Sequence, residues 1–449
     1  MCAIVGIINS EDAAKSAYYG LFSMQHRGQE ASGISASWEH HISTIKRRGL
    51  VTEVFDADKL ARLHGSMAIG HNRYSTAGKG SQGDAQPVSA KYDLGEISIV
   101  HNGNLVNKDE IREKLVKEGA IFQSNMDTEN ILHLIARSNA GSLQERIAEA
   151  VRQIKGAYCL LILSRSKMFV VRDPYGVRPL SLGRLKDGGY IVASETCAFD
   201  LLGAEFIRDV EPGEMLVFKE GSEEFKSVKL FEHTDPRICA FEYIYFARPD
   251  SQVEGKNVYN IRKKLGATLA KKDAGSNLKA DFVVPVPDSG VPAALGYARE
   301  SGVPFEIAIV RNHYVGRTFI EPTQEIRNLK VKLKLNPMSE ILRGKSIVVV
   351  DDSIVRGTTS KRIVEMLRHA GAREIHMRIA APEIKYPEIY GIDTPNRAEL
   401  ISANKTCEEV REFIGADSLE FLSIDELTES LGNERKYSLV SFDGDYFIK

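Results

Sequence analysis

Cysteine is scarce in this chain, and its thiols do not pair by spacing. The five cysteines (Cys2, Cys159, Cys197, Cys239 and Cys407) are an odd number, lie far apart and form no CxxC, which excludes a disulfide framework and a zinc knuckle. Long apolar runs are missing as well: no stretch approaches the roughly 18 residues of a membrane span, so no membrane partner is expected. The first residues carry no basic cluster, and Glu11 and Asp12 follow the short apolar run, so a secretory leader is not indicated and a cytoplasmic setting is expected. Charge of one sign is not in excess either. With 59 Lys plus Arg against 61 Asp plus Glu, the formal net charge of −2 offers no polybasic face to nucleic acid. Any anion bound here must be held by local groups.

What is present is a globular composition, 43% hydrophobic and 27% charged over 449 residues. Single cores stop growing at roughly 250 to 300 residues, so two or three domains are expected. The first half is a series of short strand-like runs, "AIVGII", "GEISIVHNG", "YCLLIL", "MFVVRDPYGVRPL" and "GYIVASET", with helical patterns over Asp109 to Gly119 and Asp127 to Ser138. Strands joined by "NG" or "PYG" turns point to antiparallel sheets with the helices grouped apart, an α+β domain. After Gly221 a charged stretch intervenes, and strand then alternates with helix: "DFVVPVPDSG", "VPAALGYARESG", "PFEIAIV", "KSIVVVDD", "TSKRIVEMLRHAG" and "EIHMRIAA". Two βαβ units predict an α/β domain with a parallel sheet and ligands at the carboxyl ends of its strands. The division falls near Thr234, giving domains 2–234 and 235–449, and the tail after Ala398 reads as polar helices.

The segment "VVVDDSIVRGTTS" (Val348 to Ser360) is the most informative. A buried strand ends in two acids, a Gly-Thr-Thr loop follows, and a helix starts near Ser360, so backbone N–H groups and the helix dipole face whatever the loop holds. Asp351 and Asp352 would repel bare phosphate. They must face ribose hydroxyls or a Mg²⁺ ion bridging to phosphate oxygens, which together describe a phosphorylated sugar. "GKS" at Gly344 to Ser346 is no Walker loop, since the earlier glycine is missing and the motif precedes a strand.

At the other end, "MCAIVGI" places Cys2 directly after Met1. Met1 is expected to be trimmed, because the next side chain is small. Cys2 would then pair a thiol of pKa about 8.5 with an α-amine of about 7.8 able to take its proton, and no catalytic histidine is required. "HNGN" offers the Asn102 amide beside the Gly103 N–H, a combination suited to an oxyanion, although Asn-Gly also signals a plain hairpin turn. Arg73 could hold an α-carboxylate and Asp127 an α-ammonium. The four together describe an amino-acid amide substrate.

"MCAIVGI", "QHRGQEASG", "HNRYSTAG", "HNGN", "SNMDTE", "DPYGVRPL" and "ASET" resemble, in order, the class II glutamine amidotransferases, which have an N-terminal-nucleophile fold. Val348 to Ser360 resembles the phosphoribosyl pyrophosphate (PRPP) signature of the type I phosphoribosyltransferases. The resemblance implies Cys2 as nucleophile, Asn102 and Gly103 as oxyanion hole, and Arg27, Arg73, Thr76 and Asp127 around glutamine, with Arg27 ordering the loop over it. It implies a PRPP site of Asp288, Ser289 and Gly290 in a pyrophosphate loop, Arg317 in a lid (Tyr314 to Ile320), and Asp351, Asp352, Arg356, Gly357, Thr358 and Thr359. One Mg²⁺ per subunit is implied on Ser289, Asp351 and Asp352, and Tyr74 and Tyr259 are implied as walls of an ammonia passage. Joined in one chain, the two families imply conversion of PRPP, glutamine and water to 5-phosphoribosylamine, glutamate and pyrophosphate, the committed opening of purine synthesis. Purine nucleotide inhibitors and a homo-oligomer are implied too.

One branch of such enzymes carries an iron–sulfur cluster and a leader before the nucleophile. Its cysteines align with Cys239, Glu388, Ser438 and Ser441 here, so no cluster is expected, since a four-iron cluster takes four thiolates. Nor is a leader expected, with Cys2 directly following Met1. A PRPP-sensing regulator would need a DNA-binding module for which the chain has no basic face.

Overall fold

The computed structural model describes residues 1–74, 84–276, 278–312 and 335–448. In the first half, burial with a period of two decides which layer each residue joins. On the strand Ala3–Ile8, Ala3, Val5 and Ile7 pack with the helices Ala13–Ser23 and Cys197–Leu202, while Ile4 and Ile8 face a second sheet. On Gly156–Ser164, Tyr158, Leu160 and Ile162 face the helices Lys108–Lys117, Asp127–Arg137 and Leu143–Val151, whereas Cys159, Leu161 and Leu163 meet the first sheet. Both faces are covered, so these strands read as unbroken apolar runs. The result is four layers: helices, sheet, sheet, helices.

Among the described residues the first sheet has seven strands, in the spatial order Glu205–Asp209, Ser181–Arg184, Tyr190–Ala193, Ala3–Ile8, Met67–Arg73, Ala31–Trp38 and His41–Arg48. The second has six, Phe225–Lys229, Glu214–Lys219, Lys167–Arg172, Gly156–Ser164, Gly95–Leu105 and Val88–Tyr92. Every neighbouring pair is antiparallel. The Asn-Gly dipeptide does not turn the chain. The strand runs straight through it, pairing Asn102 with Cys159 and Gly103 with Tyr158. The strand pairings on both sides hold it straight, and the glycine serves close approach instead: at Gly103 (φ +148°) a Cβ would lie 1.9 Å from the Ala157 carbonyl oxygen.

The second half is α/β. Phe282–Pro285, Ser346–Asp351, Glu374–Ile379 and Ser418–Phe421 form a parallel sheet in that order. Val283, Val348 and Val350 pack in one core with Leu265 and Tyr297 of the helices Val258–Asp273 and Val291–Ser301. Val284, Ile347 and Val349 pack in another with Ile363 and Val410 of Thr358–His369 and Cys407–Ile414.

Three expectations need correction. "PFEIAIV" is not a full sheet strand: Phe305 makes a lone parallel bridge to Val283, and Ile309–Arg311 pairs with Leu335–Pro337 in a separate ribbon. The helix after the acid pair starts at Thr358 rather than Ser360. The tail is not helices alone. Ser418–Phe421 adds a fourth strand to the parallel sheet, and Lys436–Ser438 returns to pair in parallel with Arg237–Cys239, beside the segment that joins the two halves.

Candidate active sites

The first site gathers where the two antiparallel sheets meet the second half. Ala3 pairs with Asn72, which brings Arg73 and Tyr74 beside Cys2. The half-buried Cys2 sulfur accepts from the Tyr74 N–H at 3.5 Å, and the Tyr74 carbonyl lies 3.7 Å away. Burial pushes the Cys2 thiol up, partly offset by the terminal ammonium, the Tyr74 N–H and Arg73. In the chain as it stands Met1 precedes Cys2, and the Cys2 amide N–H donates to Asn102 Oδ1 at 3.2 Å. Asn102 Nδ2 is buried with no partner among the described residues, a free donor on the side chain whose oxygen holds the Cys2 N–H.

Asp127 opens its helix rather than capping it through its side chain. Its carboxylate accepts from the Leu105 N–H at 3.0 Å and lies 3.3 Å from His101 Nδ1. Burial opposes its charge, but the His101 ring and the Leu105 N–H prevail and hold the carboxyl at about 2. Arg73 donates to the Asp84 carbonyl, with the Asp84 carboxylate 3.7 Å away. Asp127 and Arg73 both act electrostatically on Cys2. Thr76 lies outside the described residues, as does Arg317 with the rest of the lid.

Arg27 is fully buried and reaches into both halves. It donates to the Cys2 carbonyl and to Glu195 and Glu242. Asn104 Nδ2 donates to the Ile389 carbonyl at 2.8 Å, and a Cβ at Gly391 would come within 3.1 Å of the Gly103 backbone, so the second half closes directly over the "HNGN" strand. Sequence reasoning gave no role to His101, Glu195, Glu242 or Glu388. Three of these are acids set in or against apolar runs, and that was the available signal, because a charge in such a place is buried and needs a partner.

The second site lies at the carboxyl end of the parallel sheet. Pairing of Pro285 with Val350 sets the loop Val286 to Gly290 beside the end of Ser346–Asp351. The Val286 N–H donates to the Val350 carbonyl at 2.9 Å. A Cβ at Gly290 would lie 2.3 Å from the same carbonyl, so only glycine lets the loop approach this closely. The Pro287–Asp288 peptide is cis, and the exposed Asp288 pairs with Arg311. Asp351 and Asp352 are buried, and burial together with the Asp352 charge raises the Asp351 carboxyl well above the ordinary range. A buried acid pair of this kind calls for a cation or hydroxyl donors. Among the described residues no three His, Cys, Asp or Glu side chains gather as a metal cage, so a divalent ion held here would take most of its oxygens from substrate and water. Gly357 adopts φ +72° and turns the chain into Thr358–His369, leaving Thr358 and Thr359 exposed at the helix N-terminus. Arg356 rests on Glu399.

The positions aligned with cluster cysteines do not fit a cluster. Cys239 is buried and its thiol is pushed up to about 11 by burial. The Glu388 carboxylate is taken by Arg178 at 2.8 Å and by the Ile392 N–H at 2.6 Å. The hydroxyls of Ser438 and Ser441 are buried without partners among the described residues. One protonated thiol, one paired acid and two hydroxyls are not four thiolates.

Comparison with known proteins gives a glutamine amidotransferase domain over residues 71–200 and a phosphoribosyl transferase domain over residues 254–388. The amidophosphoribosyltransferase of Bacillus subtilis is 46% identical, with 99% of this chain and 94% of the relative covered. A chloroplastic amidophosphoribosyltransferase of Arabidopsis thaliana is 50% identical over 100% of this chain and 79% of its own length. Among solved structures, the glutamine PRPP amidotransferase of B. subtilis complexed with ADP and GMP superposes with a TM-score of 0.93 at 45% identity, covering 100% of this chain and 98% of that one. No helix among the described residues is long and apolar enough to cross a membrane.

Proposed function

The chain belongs to the amidophosphoribosyltransferase family, and from that premise we propose how its own residues carry the reaction. The enzyme is a glutamine-dependent pentosyltransferase acting at the first committed step of purine synthesis. In our reading residues 2–234 form the glutaminase domain and 235–449 the phosphoribosyltransferase domain.

With Met1 removed, the Cys2 α-amine takes the thiol proton and the sulfur attacks the glutamine carboxamide carbon. Asn102 Nδ2 and the Gly103 N–H bind the oxyanion that forms, the carbon–nitrogen bond breaks to release ammonia, and water later frees glutamate from the thioester. Arg73, Thr76 and Asp127 hold the amino-acid end of glutamine, and Arg27 orders the loop over it. Ammonia passes between the domains along a closed, apolar route walled by Tyr74 and Tyr259, and displaces pyrophosphate from C1 of PRPP. Asp351 and Asp352 fix the ribose hydroxyls, Arg356, Gly357, Thr358 and Thr359 hold the 5-phosphate, and Asp288, Ser289, Gly290 and Arg317 meet the pyrophosphate. Mg²⁺, held by Asp351, Asp352 and Ser289, would neutralise charge on the leaving pyrophosphate. No iron–sulfur cluster takes part. The B. subtilis relative complexed with ADP and GMP supports purine nucleotides as inhibitors, and a cytoplasmic homo-oligomer completes the reading.

The observation that supports this most is the buried Asn102 Nδ2, unpartnered among the described residues, on the side chain bonded to the Cys2 N–H. The test is Cys2→Ala. Glutamine-dependent formation of phosphoribosylamine should vanish while ammonia-dependent formation persists, and survival of the first or loss of both would reject the assignment.

A further inference from the structure

We propose that Glu242 is a positioning residue for the nucleophile: it holds Arg27, and Arg27 holds the backbone carbonyl of Cys2, so glutamine chemistry in the first half depends on an acid supplied by the second. The proposal rests on the Cys2 reading above. Arg27 lies in the short turn Gln25–Arg27. Its Nε donates to the Cys2 carbonyl at 3.1 Å, Nη1 to Glu195 at 2.5 Å, and Nη1 and Nη2 to the two oxygens of Glu242 at 3.0 and 2.9 Å. The two acids have different duties. Glu195 is shared: His26 lies 2.8 Å from one of its oxygens, and the Arg248 N–H and Ser251 hydroxyl fill the other at 2.8 and 2.7 Å. Among the described residues Glu242 has Arg27 alone as a side-chain partner and grips it with both oxygens. A two-point contact of this kind fixes the plane of a guanidinium, and so the direction in which Nε points.

Glu242 is itself held firmly. It begins the π-helical turn Glu242–Phe246, a form found disproportionately at functional sites. Arg262 of the helix Val258–Asp273 donates to the Tyr243 carbonyl in that turn and to the Ala247 carbonyl just after it, at 2.7 and 2.8 Å. The same helix packs backbone to backbone on Val291–Ser301, the helix that leaves the Val286 to Gly290 loop. A Cβ at Gly266 would lie 1.8 Å from the Ala293 carbonyl, and one at Gly296 would lie 1.9 Å from the Lys263 carbonyl. The charge of Asp352 reaches Arg262. Glu242 therefore stands on the body that carries the PRPP loops, while its carboxylate orients the residue that anchors Cys2. Freed from Glu242, Arg27 can rotate, and Cys2 loses its fixed relation to Asn102. A displacement on the order of 1 Å at a reacting atom costs about a hundredfold in rate.

The experiment compares glutamine-dependent and ammonia-dependent synthesis in the full chain for wild type, Glu242→Gln and Glu242→Asp. For Glu242→Gln the glutamine-dependent kcat should fall about a hundredfold with ammonia-dependent kcat unchanged, and Glu242→Asp, which keeps the charge, should recover part of the loss. Retained ammonia-dependent turnover certifies the fold. Equal glutamine turnover in Glu242→Gln and wild type, or parallel loss of both activities in both variants, would overturn the proposal. Glutamine hydrolysis that persists in Cys2→Ala would instead bring down the Cys2 reading, and this proposal with it.

Discussion

His71 sits in the strand Met67–Arg73, wholly buried, with Nε2 3.2 Å from the His101 carbonyl and Nδ1 without a partner among the described residues. Burial, helped by the nearby Arg73 charge, lowers its pKa to about 3. The unfolded chain takes up this proton near about 6.5, so between those values the unfolded state binds more protons and stability falls as pH falls, by at most about 1.4 kcal/mol per unit. The melting temperature of wild type should therefore drop more steeply from pH 7 to pH 5 than that of His71→Gln, and parallel curves would contradict this. Asp351→Asn addresses the other site. Replacing one acid of the buried pair should raise the KM for PRPP by about tenfold or more, the loss of one or two charged hydrogen bonds, while glutamine hydrolysis measured alone is unaffected. Cys2, Asn102 and Asp351 stand out in the sequence because Cys2 directly precedes an apolar strand, Asp351 ends one beside a second acid, and Asn102 is followed by glycine. His101 and Glu242 do not, because their meaning lies in partners far along the chain, at Asp127 and Arg27.

At the scale of elements, helix Val291–Ser301 announces itself: proline at its second position, apolar spacing, and Gly302 at φ +73° to end it. Its crossing on Val258–Asp273 was not legible, because glycines inside a helical pattern say nothing about which backbone they admit. Gly266→Ala should force the helices apart against the Ala293 carbonyl, an overpacking cost of about 1 to 3 kcal/mol that a thermal melt would register. The strand Ser418–Phe421 escaped for a different reason. It is only four residues long, too short for its alternation to stand out between the polar, well-capped helices Cys407–Ile414 and Ile424–Leu431. The Asn-Gly dipeptide misled because its local turn preference was overruled by nine consecutive pairings between Gly95–Leu105 and Gly156–Ser164.

For the molecule as a whole, the composition and the change of rhythm after Gly221 are enough to suggest two folds in one chain, but not the charged groups that join them. Arg27 to Glu242 and Arg178 to Glu388 each cross between the halves and are almost completely buried. Breaking one partner of such a pair costs far more than a surface bridge, whose worth is about 0 to 1 kcal/mol. Glu388 spends its carboxylate on Arg178, which leaves Cys239 as the sole thiol at the aligned cluster positions. Protein purified without oxygen should accordingly contain no stoichiometric iron and show no brown absorbance, as elemental analysis and a visible spectrum would establish.

Gly391, at φ +122°, meets the bare backbone of Gly103 across the divide. Anyone splicing chimeras from two relatives inherits that meeting point as a matched set. A crossover between the halves that brings a side chain to either position sets it against the other's main chain, and the join must shift to take it.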